Sequence, residues 1–259
     1  MADKVILAGF HAVLARLRLN PKTLREVYID RSRHDRRMHE LCVQLREAGL
    51  RPIESDAQRL RGLAGDVPHQ GVAAVADRLE RTMSFDELLD SISDETLLLV
   101  LDGVTDPRNF GACLRVADAA GAQAVIAPLN RSSHVTPAAA KAAAGAEESV
   151  PVIYVVNLAS AIGELREAGV TVVGTAGETE RSIYDFDQKK AFAWVLGSEG
   201  EGLRQLTRRR CDALAAIPMK GSVESLNVSV AAGVCLFETL RQRLGGAPGK
   251  VDNASRAKF

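Results

Sequence analysis

The chain predicts an α/β protein of two units, a small one followed by a larger one on a parallel sheet. Two observations carry this. Short apolar runs of strand length alternate with stretches whose apolar residues fall at helical spacing. In the second half the runs are continuously apolar, as in LLLVL at 97–101. Such runs mark strands covered on both faces, the condition of parallel sheets. The 259 residues suffice for one large domain or two modest ones.

Residues 9–19 read as a helix and 24–30 as a strand. The next helix spans 35–48, with Met38, Leu41, Cys42 and Leu45 at helical spacing and Gly49 closing it. Short strands follow at 51–54 and 71–76. Residues 1–76 thus form the first unit. Residues 77–96 are polar and acidic, a linker with one short helix. The larger unit spans 97–245 and opens with the strand at 97–101. Asp106-Pro107 starts a helix that runs to Gly121, with Asp as cap and Pro at the first position. Further strands are expected at 124–127, 152–156, 170–174, 191–196 and 214–217. The last helix, 226–244, is apolar on two sides: Leu226, Val230, Val234 and Phe237 on one, Val228, Ala232 and Cys235 on the other. It should be buried on both, one against the sheet and one against a second subunit. Residues 246–259 read as a disordered tail.

The net charge is zero, with 33 basic and 33 acidic residues. The distribution is less even: residues 16–61 carry 12 Lys/Arg against 7 Asp/Glu. A nucleic-acid partner therefore stays open. The four cysteines form no C-x-x-C pair, which argues against a zinc site or a disulfide framework. No signal peptide and no membrane-length apolar run are seen, so a cytoplasmic protein is expected.

Three polar segments, far apart, each follow a strand or open a helix. The first is NFGACLR, Asn109 to Arg115. An arginine in a small apolar helix either reaches solvent or meets an anion, and its fork of donors suits phosphate or carboxylate. The second is LGSEGEG, Leu196 to Gly202. Its G-x-x-G-x-G spacing differs from the dinucleotide-binding pattern, and Glu199 and Glu201 would repel a pyrophosphate. A positively charged sulfonium tolerates such neighbours. The third is IPMKGSVESLNVSVAAG, Ile217 to Gly233, where Ser225 is placed to cap the last helix. Each has an ordinary explanation alone: a surface arginine, a glycine turn, a helix cap. In an open α/β sheet, however, the carboxyl ends of strands line the ligand crevice.

Together the three segments resemble the signature of the SpoU (TrmH) family of RNA ribose 2′-O-methyltransferases. The likeness covers nearly the whole chain and is strongest in LDGVTDPRNFGACLRVADAAG and SLNVSVAAGVCLFE. His69-Gln70-Gly71 looks like the end of that family's N-terminal substrate-binding domain. The likeness is closest to members that methylate a guanosine ribose in large-subunit ribosomal RNA. It implies a deep trefoil knot in the larger unit and S-adenosylmethionine bent inside it, without a metal. Leu196, Gly197, Gly202, Ile217, Met219 and Leu226 would hold that donor, with Thr175 and Gly177 lining the pocket. Asn109, Arg115, Glu199, Ser225 and Asn227 would form the catalytic group. Arg115 would position the RNA and assist proton loss, and Asn109 and Asn227 would orient Arg115 and the ribose. Glu199 would set its loop. A homodimer is implied, as is a first unit shaped like small RNA-binding ribosomal proteins, with Arg31, Arg33, Arg36 and Arg37 gripping phosphates. Transfer-RNA methylation and non-catalytic RNA binding in ribosome assembly remain as alternatives. A nucleotide-dependent oxidoreductase fails on loop spacing and charge.

Overall fold

A computed structural model gives the structure of the protein and describes residues 4–65, 67–77 and 83–245. The first unit runs β1 (Lys4–Ala8), α1 (Phe10–Leu19), β2 (Leu24–Asp30), α2 (Arg36–Glu47), β3 (Ile53–Ser55), α3 (Ala57–Ala64) and β4 (Val72–Asp77). Its sheet has the order β1-β4-β2-β3. β4 is antiparallel to both neighbours, and β3 is parallel to β2. Phe10, Val13 and Leu17 of α1 meet Leu41 and Leu45 of α2 in its core. β1 and α3 went unpredicted. Two arginines and Gly62 dilute the apolar period of α3, and what starts it is the Asp56 side chain, which accepts from the Arg59 amide at 2.8 Å.

The expected short helix of the linker is α4 (Phe85–Asp90), opened by a capping box between Ser84 and Glu87. Residues 78–82 of the linker and the expected tail at 246–259 lie outside the described residues.

The larger unit continues with β5 (Leu97–Asp102), α5 (Pro107–Ala119), β6 (Ala124–Pro128), α6 (Pro137–Ala143), β7 (Val152–Val155), α7 (Leu158–Glu167), β8 (Thr171–Thr175), β9 (Phe192–Gly197), α8 (Gln205–Arg210), β10 (Ala213–Ala215) and α9 (Val228–Arg243). Its six strands pair in parallel in the order β10-β8-β9-β5-β6-β7. β5 explains its own composition. Leu97, Leu99 and Leu101 face the layer holding α5 and α9, while Leu98 and Val100 face the layer holding α7 and α4. Two covered faces leave positions 97–101 to apolar side chains, and the polar Asp102 enters only at the carboxyl end. A buried polar chain pins α9 to the sheet: Trp194 Nε1 donates to Thr239 Oγ1 at 3.0 Å, and that hydroxyl donates to Gln188 Oε1 at 2.5 Å.

Two boundaries move. The strand expected at 214–217 is β10 and ends at Ala215, so Ile217 already lies in the loop. The last helix starts at Val228 instead of Leu226, because the cap is not Ser225. Asn227 accepts from the Ser229 amide at 3.0 Å, while Ser225 is exposed two residues upstream. The first free amides of a helix lie within reach of the residue just before it, not of one a full turn away. Among the described residues no helix is long and apolar enough to cross a membrane.

Candidate active site

The sheet order brings the predicted segments together. β8, β9 and β5 are consecutive neighbours and β10 flanks β8, so the carboxyl ends of four strands share one edge. Thr175 ends β8, with Gly177 just beyond; Leu196 and Gly197 end β9; Ile217, Met219 and Leu226 lie in the long loop after β10.

The loop after β9 is shaped by its glycines. Ser198 and Gly202 exchange both backbone hydrogen bonds, at 3.2 and 3.0 Å. A Cβ on Gly197 would fall 2.1 Å from the Gly202 carbonyl carbon, so no larger residue fits there. The base of the loop is anchored by Arg204. Its backbone N–H donates to Asp102 Oδ2 at 2.9 Å, and its Nε lies 2.8 Å from Asp102 Oδ1, near enough for an ion pair though not aligned as a hydrogen bond. Sequence reasoning missed this pair; Asp102 closing an otherwise apolar strand was the signal.

Asn109, Glu199 and Asn227 meet in one hydrogen-bonded cluster. Asn109 Nδ2 donates to Glu199 Oε1 at 3.1 Å. Asn227 Nδ2 donates to Glu199 Oε1 at 2.7 Å and to Asn109 Oδ1 at 2.9 Å. Local structure aims each one. Asp106 caps α5 by accepting from the Arg108 and Asn109 amides, both at 2.8 Å, which fixes Asn109 in the first turn. Asn227 spends its oxygen on α9 and so can turn only its two N–H donors to its neighbours. Glu199, the sole acceptor-only member, then fixes which way both amides face.

Arg115 stands apart from this cluster, contrary to expectation. Six residues along α5 from Asn109 advance it by about 9 Å and turn it about 240° around the axis. It is exposed and has no hydrogen bond or ion pair among the described residues. The two asparagines therefore orient Glu199 and each other, not Arg115. Beneath the cluster, burial first and the Glu199 charge second push the Cys113 thiol up to about 12, so it offers no thiolate at neutral pH. Among the described residues no group of three His, Cys, Asp or Glu side chains is placed to hold a metal ion.

The arginine run of the first unit divides. Arg33 and Arg37 stack their guanidinium groups over Phe10, at 4.7 and 4.6 Å from the ring centroid. Arg36 pairs with Glu40 in solvent. Arg31 and Arg33 help line a cleft of about 550 Å³ with Arg46 and Arg51. A further residue escaped the sequence reading. Arg16 sits at an apolar position of α1, buried, and makes a two-pronged ion pair with Glu148 of the larger unit at 2.5 and 2.6 Å. A cation where the helix period calls for an apolar residue was the available signal.

Residues 96–237, more than half of the chain, match the model described as SpoU rRNA Methylase family. The chain belongs to the SpoU rRNA methylase family. Residues 6–82 match a second model, RNA 2′-O ribose methyltransferase substrate binding. A relative from Ralstonia nicotianae, named 23S rRNA (guanosine-2′-O-)-methyltransferase RlmB, is 56% identical over 243 residues, covering 94% of this chain and 98% of the relative. Among solved SpoU-type structures, an RNA 2′-O ribose methyltransferase is 26% identical with a TM-score of 0.74, covering 93% of this chain and 89% of that one. The SpoU methyltransferase AviRb from Streptomyces viridochromogenes, in complex with the cofactor AdoMet, is 26% identical with a TM-score of 0.70, covering 94% and 92%.

The crevice fits such a donor. The loop at 197–202 would hold it through backbone, since the Gly202 backbone leaves no room for a side chain at 197, and Glu199 gives the loop a negative charge that a sulfonium tolerates.

Proposed function

We propose that the protein methylates the ribose 2′-hydroxyl of a guanosine in 23S ribosomal RNA, with S-adenosylmethionine as donor. The observation that carries this is the Asn109–Glu199–Asn227 cluster, which ties three distant segments at one sheet edge in a chain that matches a relative named as a 23S rRNA methyltransferase over 94% of its length. The donor supplies a methyl group on positively charged sulfur. The loops at 197–202 and 217–226 hold it through backbone groups near Leu196, Gly197, Gly202, Ile217, Met219 and Leu226, with Thr175 and Gly177 at the rim. Glu199, oriented by Asn109 and Asn227, keeps the loop set and its charge in place. Ser225, exposed beside Asn227, contacts the substrate. Arg115 lies beside the attacking oxygen, fixes the nucleotide and stabilises the charge that develops as the hydroxyl loses its proton. A guanidinium with a pKa of roughly 12.5–13.8 remains protonated, so its part is position and charge.

A substrate-binding unit over 1–76, a linker over 77–96 and a methyltransferase unit over 97–245 are supported by the two sheets and by family matches at 6–82 and 96–237. Arg31, Arg33, Arg36 and Arg37 give the first unit its grip on phosphates. A trefoil knot is consistent with the parallel bridge between Ser182 and Ala216, which lays the loop after β8 alongside the one after β10. The homodimer is supported by α9, whose outer side exposes Val230, Phe237 and Leu244 (51%, 46% and 66%) at seven-residue spacing. Such a stripe on a helix end-to-end with the site asks for a partner surface. Such an enzyme works in the cytoplasm, where its RNA is.

The test is incubation with labelled S-adenosylmethionine and total RNA from cells lacking the gene, followed by mapping. Label on one guanosine ribose of 23S RNA is expected. Label in transfer RNA would replace the substrate, and no label with any RNA would overturn the reading.

A further inference from the structure

We propose that His11 and Arg37 of the first unit, with Arg115 of the second, form one phosphate cradle for the RNA beside the target ribose. The inference rests on the methyltransferase reading above.

The geometry begins with the docking of α1 on the larger unit. Arg16 holds Glu148 through two hydrogen bonds, and the same guanidinium reaches the Asp77 carbonyl at 2.5 Å and the Thr23 hydroxyl at 3.1 Å. Beside Arg16 the two units touch closely: a Cβ on Gly145 (φ +101°) would lie 3.1 Å from the Ala15 Cβ and 3.8 Å from the Ala12 Cα. The docked segment also packs on α5, since Ser149 Oγ donates to Asp118 Oδ1 at 2.5 Å. His11 lies one turn before Ala15 on the side of α1 that meets Gly145, and Arg115 lies one turn after Gly111, whose Cβ would fall 2.8 Å from the Ala142 Cβ, so both residues flank the segment at 142–145.

His11 Nε2 lies 3.1 Å from Arg37 Nη2 and, as neutral imidazole, accepts its hydrogen bond. The His11 imidazole is held below its ordinary value by burial, then by the Arg37 charge, then by the Arg115 charge. Among the described residues no carboxylate pairs with Arg37 or Arg115, whereas their neighbours Arg33 and Arg36 each have one, Asp35 and Glu40. Both guanidinium charges bear on the His11 imidazole, and neither has a partner anion among the described residues to offset it. The Phe10 ring, under Arg33 and Arg37, restrains Arg37 from swinging away to relieve it. A phosphate supplies the missing charge, and a polynucleotide supplies it next to a ribose.

His11→Glu separates this from a structural role. The carboxylate would pair with Arg37, 3.1 Å from the present imidazole, and attract Arg115, so the melting temperature should hold or rise, donor binding by calorimetry should stay unchanged, and RNA turnover should fall about tenfold or more. Arg37→Ala should lower the slope of log affinity for RNA against log salt by about one, while Arg36→Ala, removing an arginine already paired, should lower it less. Arg37→Ala should also lower kcat, because a phosphate beside the reacting ribose sets its approach. RNA turnover by His11→Glu within twofold of the native enzyme would overturn the cradle. So would an Arg37→Ala effect confined to KM, which would place Arg37 on distant RNA. If the native enzyme labels no RNA at all, the functional reading fails first, and the two failures are thus told apart.

Discussion

Replacing Glu148 by Gln keeps the side chain's shape and removes its charge, leaving the Arg16 guanidinium buried against a neutral amide. The side chains of Arg16 and Glu148 are 1% and 9% exposed, so water replaces little of the lost interaction. Breaking a buried pair from one side costs about 3–5 kcal/mol. An exposed pair such as Arg36–Glu40, with side chains 82% and 49% exposed, contributes about 0–1 kcal/mol. Arg16 keeps its bonds to Asp77 and Thr23, which places the expected loss near the lower figure, about 3 kcal/mol. Arg16→Met with Glu148→Met removes both charges and should return to within about 1 kcal/mol of the native protein. Urea unfolding reads this, followed by circular dichroism and by the fluorescence of Trp194, the single tryptophan, buried in the larger unit. A Glu148→Gln loss below about 1 kcal/mol, or a double variant no better than either single one, would refute the buried-pair argument.

The neighbouring Glu147 carboxyl is pushed up to about 7, chiefly by burial. Its folded value exceeds its unfolded one, so its contribution to stability is full below about pH 4.5 and lost as pH rises through 7, by at most about 3 kcal/mol; Glu147→Gln should flatten that slope in urea titrations between pH 5 and 8. Asn227→Asp keeps the helix cap but sets a carboxylate against Glu199, whereas Asn227→Ala loses the cap at about 1 kcal/mol; calorimetry should show Asp more damaging to donor binding, and equal binding would remove the cluster's role. Gly197→Ala should abolish donor binding through its clash with the Gly202 backbone, and retained affinity would show that the loop adapts. Arg115→Lys keeps the charge and loses the fork, so turnover should fall while donor affinity stays; full turnover would rule out a shape-specific role.

The strands of the larger sheet were legible because burial on two faces writes itself into a run such as 97–101 without exception. The Asp106-Pro107 helix start was equally readable, since capping is decided by adjacent residues. Periodicity failed at α3, where Gly62 and two arginines hide the apolar face, and at the start of α9, where Asn227 and Ser225 are both competent caps and only the backbone path selects one. The three site segments announced their chemistry, but their meeting depends on strand order, and β8 enters between β9 and β10 through pairings no local pattern specifies. What the sequence by itself determined is the set of elements and the residue types at the site, because these follow from neighbours in the chain. What only the tertiary structure decided is who touches whom: Asn227 turned to Glu199 and Asn109, Arg16 buried against a carboxylate 132 residues away, and His11 set against Arg37. Contacts between distant residues are selected by the packing of the whole chain, where burial and charge are settled together.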